Sequence, residues 1–497
     1  MKWTACRDLA LRIGLRHFSS GRKAVSVVGS GPSGFYTVCR LLAKSEIPLN
    51  VTLWERLPVP FGLSRYGVAP DHPEVKNCED TFTRCAREFG KGLDTRHTFT
   101  FMGNVSVGKD IKLRDLLDTQ DAVILSYGCS GDHVLGVPGE TSTSGVFTSR
   151  EFVSWYNGHP EFAGDNDKLK SFPWSKVRNV GIIGNGNVAL DVARVLLSNR
   201  IPELWSNTDI NPEALEALNT APIENVKIIA RRDFIHSKFT NKEFRELWEL
   251  ERYGIQGIIK PEYLKLRPAD LESGDRVFKR RVEMVSEFSL PFDQRTKKNY
   301  KKHRPPESHR YWEMDYLKTP LTINSNSKGE IESLTVCRNS LTPSNRVEQH
   351  LTETLDYDVD VLVTSLGYGS SPLQEFGPLQ IGFATNRVAN ANGHVLDTSG
   401  RIVSGLYASG WIRKGSSGVI ASTMSDAFQV ADAVIADLES GAPPKDRVLK
   451  TTGLDSTTWE DWEKIDEEEK RRGKLLGKPR EKFLSASEMI DFIKDNR

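Results

Sequence analysis

Two stretches of this chain share one pattern, and that pattern restricts the fold more than any other feature. Ala24-Val25-Ser26-Val27-Val28 is a short apolar run leading into Gly29-Ser30-Gly31-Pro32-Ser33-Gly34, after which Phe35, Val38, Leu41 and Leu42 recur at helical spacing. Val177-Arg178-Asn179-Val180-Gly181-Ile182-Ile183 likewise leads into Gly184-Asn185-Gly186-Asn187-Val188-Ala189 and the periodic stretch Leu190 to Leu197. Strand, G-x-G-x-x-G/A turn and helix form the fingerprint of a dinucleotide-binding unit. The first glycine permits the tight turn, the second lets the backbone approach a pyrophosphate, and the third residue lets the helix close on the strand. The phosphates then meet a helix N-terminus, where exposed N–H groups and the helix dipole favour negative charge. One such motif also occurs in ordinary α/β cores. Two of them, each between a strand and a helix, predict an α/β chain with two Rossmann-like nucleotide-binding domains.

The residues after each fingerprint point to different nucleotides. Leu49 to Trp54 reads as the second strand of the first unit and ends at Glu55, about 20 residues past Gly34, where an acid binds a ribose hydroxyl. In the second unit Asn225 to Ala230 ends in Arg231-Arg232. Two guanidiniums suit the 2′-phosphate of NADP through charge-assisted hydrogen bonds, which is favoured over the usual solvated arginine pair. An inserted turn and helix, Leu204 to Thr220, lengthens the spacing from Ala189. Asp191 reads either as an acid that orients the nicotinamide end or relays a proton, or as an ordinary helix-start charge. Pro58 to Asn77 is dense in Pro and Gly and predicts a shaped loop. His72 within it is a candidate proton carrier, set against the commoner role of a hydrogen-bonding loop histidine. Val359 to Tyr368 reads as a buried strand that closes the inserted unit, and Gly405 to Met424 as a further strand, glycine-rich turn and helix start. The expected boundaries are a leader at 1–23, a first domain at 24–130, an inserted domain at 131–367 and a return to the first domain at 368–497.

Composition narrows the function classes. Lys and Arg total 67 against 66 Asp and Glu, so no overall charge points to nucleic acid or a membrane surface. No apolar run approaches roughly 18 residues, so no transmembrane helix is expected. The six cysteines form no C-x-x-C, which argues against a disulfide scaffold, a zinc ribbon, any other metal site held by cysteine, and a flavoprotein that works through its own dithiol. Met1 to Lys23 carries Lys2, Arg7, Arg12, Arg16, Arg22 and Lys23 against the single acid Asp8. This Arg-rich, acid-poor segment predicts a mitochondrial transit peptide, the alternative being a basic arm without targeting meaning. Arg276 to Arg304 holds ten basic residues and three acids. It is either a solvated face or a docking patch for an acidic protein.

The fingerprint with Glu55, the loop Pro58 to Asn77, and Phe101-Met102-Gly103-Asn104-Val105-Ser106-Val107-Gly108 together resemble the mitochondrial NADPH–adrenodoxin reductase family of glutathione-reductase-like flavoproteins. The resemblance runs from Ala24 to the end of the chain, through Trp459-Glu460-Asp461-Trp462 and Gly477 to Lys482, with gaps in the middle domain. It implies an NADP domain inserted into an FAD domain. FAD then falls to Gly29, Gly31, Ser33, Gly34, Glu55, Leu63, Val107, Trp411, Gly418, Val419 and Ile420. NADP falls to Gly184, Asn185, Gly186, Asn187, Val188, Arg231, Arg232, Glu243 and, where the two cofactors meet, Gly418. It further implies ferredoxin docking through Arg245 with Lys279, Arg280 and Arg281, whereas Gln294 to Lys302 departs from the vertebrate pattern and reads as a mobile loop.

The implied activity is oxidation of NADPH through FAD and one-electron reduction of an acidic mitochondrial [2Fe–2S] ferredoxin. A matrix location and a monomer are expected, with peripheral association with the inner membrane left open. Two alternatives are the flavin electron-input subunit of a glutamate-synthase-like enzyme, whose cluster-binding N-terminal cysteines are missing here, and a non-enzymatic flavoprotein that senses NADPH.

Overall fold

The computed structural model describes residues 21–90, 96–164, 168–266, 270, 272, 274–307, 309–416, 418, 420–440, 445 and 447–497. Residues 1–20 of the expected leader and Val419 lie outside the described residues. The chain forms two units, Met1–Val68 with His72–Gly131 and Tyr368–Arg497, and Ala69–Asp71 with Asp132–Gly367. It opens with β1 (Lys23–Val28), α1 (Pro32–Lys44), β2 (Leu49–Trp54), α2 (Cys78–Gly90), β3 (Thr98–Met102) and β4 (Ala122–Leu125). The second unit supplies β5 (Val146–Thr148), α3 (Ser149–Tyr156), β6 (Asn179–Ile183), α4 (Asn187–Leu197), β7 (Asn225–Ala230), α5 (Asn241–Glu249), β8 (Gln256–Ile259), α6 (Arg276–Phe288) and β9 (Tyr311–Tyr316). It continues through β10 (Lys318–Ser325), β11 (Ile331–Leu341), β12 (Val347–Asp358) and β13 (Val361–Thr364). The chain then returns to the first unit as β14 (Asn390–Ala391), β15 (His394–Leu396), β16 (Ile402–Ala408), α7 (Ile420–Ser440), α8 (Trp459–Leu475) and α9 (Ala486–Asn496).

In the first unit the sheet order is β14-β15-β16-β4-β1-β2-β3, parallel from β16 to β3. A parallel sheet is covered on both faces, which is why β1 and β4 read as apolar runs rather than as alternation. Phe35, Val38, Leu41 and Leu42 of α1 are all buried, as their spacing predicts, and Phe35 stacks on Phe82 of α2 at 5.0 Å. Lys23 differs from expectation. It starts β1 opposite Leu49, with its ammonium 3.7 Å from Asp121, so the sheet begins one residue inside the expected leader.

The charged tail is held by a buried ion pair. Arg65 lies 2.5 Å from Glu469 of α8, and both side chains are almost fully buried. Glu469 also accepts from Arg480 at 2.9 Å and from the Phe483 N–H at 3.1 Å. Trp462, two turns before, lies under the Arg65 guanidinium at 5.1 Å. Removing one partner leaves an uncompensated buried charge, so Glu469→Ala is expected to cost about 3–5 kcal/mol. Urea unfolding followed by near-UV circular dichroism checks this, with the exposed Arg471→Ala shifting by less than about 0.5 kcal/mol.

The second unit has a fully parallel sheet, β5-β13-β6-β7-β9-β8, and a separate antiparallel sheet, β10-β11-β12. Gln294–Lys302 is tied down rather than loose: buried Arg295 meets both oxygens of Glu251 at 2.6 Å, and Glu287 accepts from the Thr296 N–H at 2.8 Å. Asp315, at the end of β9, is fully buried and accepts from the hydroxyls of Tyr263 (2.6 Å) and Tyr357 (2.5 Å), with Lys318 at 3.4 Å. Burial pushes the Asp315 pKa up, but the two hydroxyls and Lys318 outweigh it and hold the carboxyl below its ordinary value. A depressed folded-state pKa contributes stability that is present above about pH 3.9 and is lost as pH falls through the folded value. Asp315→Asn is therefore expected to lower stability at neutral pH, with the gap from the parent chain closing below about pH 4, as measured by urea midpoints across pH.

Candidate functional site

Each fingerprint glycine has a distinct physical reason. Gly29 adopts φ +102°, and a Cβ there would lie 2.6 Å from the Tyr127 Cα and 2.7 Å from the Ser126 carbonyl. A Cβ on Gly34 would lie 1.9 Å from the carbonyl oxygen of Gly29. These two positions are closed by the fold itself. A Cβ on Gly31 would meet nothing within 4 Å, and no side chain caps the helix that starts at Pro32. The turn therefore presents uncovered backbone and a helix N-terminus to open space, a cradle that fits a pyrophosphate. Glu55 closes one side. Its carboxylate accepts from the Ser30 N–H (3.0 Å), the Ser30 hydroxyl (2.7 Å) and the Leu57 N–H (3.0 Å).

Other candidates gather around that cradle. The Phe61 N–H donates to the Ser30 carbonyl at 3.1 Å, and a Cβ on Gly62 would lie 3.2 Å from the Gly31 Cα, so the loop carrying half-buried Leu63 lies on the fingerprint. The hydroxyls of Ser33 and Ser409 share a hydrogen bond at 2.8 Å, which brings the end of β16, and Trp411 after it, to the same turn. Gly410, at φ +73°, donates its N–H to Asp426 at 2.7 Å, and Arg413 lies 2.5 Å from the same buried carboxyl group. Asp426 and Arg413 were not among the sequence candidates, because their pairing depends on α7 folding back under the turn. Val107 belongs to an apolar cluster with Val28, Trp54, Leu125 and Ala408, the last residues of β1, β2, β4 and β16. Ligands of open α/β sheets bind outside those strand ends. Gly418, at φ +88°, and Ile420 stand at the start of α7, and His72 is buried in its loop.

The second cradle repeats the first. Gly184 has φ +123° and a Cβ would lie 2.1 Å from the Ser365 carbonyl, Ala189 is fully buried, and Gly186 faces open space. The Asn187 side chain accepts from the Thr240 N–H at 2.7 Å, and the Asn185 carbonyl accepts from the Lys238 N–H at 3.3 Å, so the turn is bound to the start of α5. Half-buried Glu243 sits in the first turn of that helix. Arg231 is exposed and Arg232 half-buried just past β7. Asp191 is not a solvated helix-start charge. It accepts from buried Arg194 at 2.8 Å, and Arg194 also grips both oxygens of Asp71 (2.8 and 2.9 Å), with Glu246 at 3.6 Å. The i, i+3 spacing of Asp191 and Arg194 was legible in the sequence, whereas Asp71, 123 positions from Arg194, was not.

Of the expected docking residues, Arg245, Lys279 and Arg280 are exposed and Arg281 is not. Arg281 is buried on the inner face of α6 with Met284, Val285 and Phe288. It donates to the carbonyls of Ser237 (3.2 Å) and Phe239 (2.8 Å) and to the Asn241 side chain (3.2 Å), over the Phe239 ring. Its guanidinium is committed inside the unit, so Arg281 is a packing residue and leaves the docking set.

Two cradles on parallel sheets, one per unit, define the class as a protein with two dinucleotide-binding units. No protein-family model matches the chain. A Saccharomyces cerevisiae protein named probable NADPH:adrenodoxin oxidoreductase, mitochondrial, is 58% identical over 482 residues, covering 96% of this chain and 98% of that protein. The Bos taurus NADPH:adrenodoxin oxidoreductase is 36% identical over 502 residues, 96% of this chain and 94% of its own. The structure of Mycobacterium tuberculosis FprA in complex with NADPH superposes with a TM-score of 0.80 at 30% identity, covering 95% of this chain and all of that one. The chain belongs to the NADPH:adrenodoxin oxidoreductase family.

The two kinds of glycine separate experimentally. Gly31→Ala fills the cradle without touching the protein, so it is expected to purify folded, without its yellow chromophore and with the melting temperature of the parent stripped of flavin. Gly34→Ala is expected to fail to fold, because its Cβ meets backbone. Thermal melts and visible spectra of the two purified variants check both outcomes.

Proposed function

We propose that this chain is an NADPH-dependent ferredoxin reductase of the mitochondrial matrix, and that its acceptor is an acidic [2Fe–2S] ferredoxin. The observation that carries the reading is the pair of glycine cradles, of which only the second is followed by an arginine pair at its strand end. The unit formed by 24–130 and 368–497 holds FAD, with Gly29, Gly31 and Gly34 at the pyrophosphate and Glu55 at a ribose. FAD, when bound, converts a two-electron donor into single-electron steps. Leu63, Val107, Trp411, Gly418 and Ile420 pack the ring end of that site. The inserted unit, 131–367, holds NADPH. Gly184, Asn185, Gly186, Asn187 and Val188 take its phosphates, Arg231 and Arg232 its 2′-phosphate, and Glu243 its adenosine half. Asp191, held by Arg194, orients the nicotinamide end, and buried His72 is the candidate proton carrier.

Exposed Arg245, Lys279 and Arg280 form the acceptor's docking surface, where complementary charge raises the encounter rate more than it raises affinity. NADPH-dependent reduction of a [2Fe–2S] ferredoxin is expected to fall steeply with salt, because interactions between exposed charges are screened beyond about 8 Å at physiological ionic strength. Lys279→Glu with Arg280→Glu is expected to raise KM for ferredoxin severalfold and flatten that salt dependence, while NADPH-dependent ferricyanide reduction keeps its rate. Ferredoxin turnover that ignores ionic strength, or that runs equally well with NADH, overturns the reading.

A further inference from the structure

We infer that Asn339 is a positioning residue for the 2′-phosphate of the nucleotide: a buried amide on the antiparallel sheet that fixes the backbone carrying Arg231 and Arg232. This rests on the assignment of that arginine pair to NADPH and adds to it the element that sets their position.

β7 and β9 run in register as far as Ala230 and Tyr316, where their ladder ends. The arginine turn leaves β7 at that point with its carbonyls no longer paired in the parallel sheet. One is taken up by the antiparallel sheet and the other by the residue that leads into it. The Asn339 side-chain amide donates to the Arg231 carbonyl at 2.9 Å, and the Leu317 N–H donates to the Arg232 carbonyl at 3.3 Å. The Asn339 N–H in turn donates to the Leu317 carbonyl at 2.9 Å, so the residue reaches Arg231 through its side chain and Leu317 through its backbone.

Local geometry explains why it can do so. β10 and β11 pair only as far as Lys318 opposite Arg338, so Asn339 overhangs the last pair and its N–H is available to Leu317. Leu317 itself adopts φ +56°, an uncommon conformation for a leucine, which turns the chain sharply between β9 and β10. The register shift between Cys337 and Arg338 in the β11–β12 pairing re-aims the strand just before Asn339. The second amide hydrogen of Asn339 goes to the Thr319 hydroxyl at 2.9 Å, which locks the side chain's orientation, and the residue is 6% exposed. Asn339 is therefore too buried to touch a nucleotide and acts only through the turn.

An arginine side chain is long and flexible, so its aim at a dianion depends on where its backbone is held. NADH lacks the 2′-phosphate, so a shift of this turn weakens NADPH and leaves NADH almost untouched. A purely structural role would lower both alike.

The test compares Asn339→Ala with the parent holoenzyme, using ferricyanide as acceptor, for kcat and KM with NADPH and with NADH. Calorimetric binding of 2′,5′-ADP and of 5′-AMP gives a readout without turnover. The expected result is at least a fivefold loss of NADPH-over-NADH preference, carried by KM for NADPH with kcat kept, and a matching loss of 2′,5′-ADP affinity with none for 5′-AMP. An unchanged preference, or an equal loss for both nucleotides, overturns the inference. Should Asn339→Ala fail to fold, Thr319→Val, which frees the amide's second hydrogen, is expected to shift the preference in the same direction by a smaller factor, and no shift overturns it. Arg231→Ala with Arg232→Ala is run in parallel. If that pair leaves the preference unchanged, the phosphate assignment itself fails. If only the Asn339 variant does, the assignment stands and the inference falls.

Discussion

The closest backbone approach in each cradle is the constraint on which the rest depends. At Gly34 even a methyl group would sit 1.9 Å from the Gly29 carbonyl, and at Gly184 it would sit 2.1 Å from the Ser365 carbonyl. Glycine at these two positions lets each turn close on its parallel sheet and leaves a helix N-terminus open beyond the strand ends. The placement of Glu55, Ser33 and the loop at Leu63 in one unit, and of Asn187 and α5 in the other, follows from hydrogen bonds to those two turns.

Around each cradle, segments far apart in the chain are joined by buried guanidiniums paired with carboxylates. Arg65 and Glu469 hold the tail, Arg413 and Asp426 hold the turn before α7, and Arg194 holds Asp71 and Asp191. Buried pairs of this kind add little net stability over apolar packing, but they tolerate few alternative partners, because an unpaired buried charge costs several kcal/mol. That intolerance suits segments that must meet in one register. Asp71 shows the consequence, since the three-residue piece Ala69–Asp71 belongs to the second unit although the chain on both sides belongs to the first.

Much of the site was legible in the sequence because its signals are local. G-x-G-x-x-G/A spacing, an acid after one second strand and an arginine pair after the other are each readable within about 50 residues of a fingerprint, and the family resemblance extends them to Trp411 and Gly418. The failures share one cause. Arg281 reads as surface charge in a basic run, yet its position places it on the inner face of α6, where three carbonyl and amide oxygens receive its N–H groups. Gln294 to Lys302 reads as a loose loop because Glu251, which holds Arg295, is 44 positions away.

By itself the sequence determined the fold class, the two nucleotide cradles and the difference between them, since glycine spacing and strand-end charge act within one βαβ unit. Only the tertiary structure decided which charges stay exposed and which are internal struts, and that the arginine turn is hydrogen-bonded by Asn339 from another sheet. Pairing of a buried charge or amide depends on which distant segment arrives beside it, and no local pattern in the chain encodes that meeting.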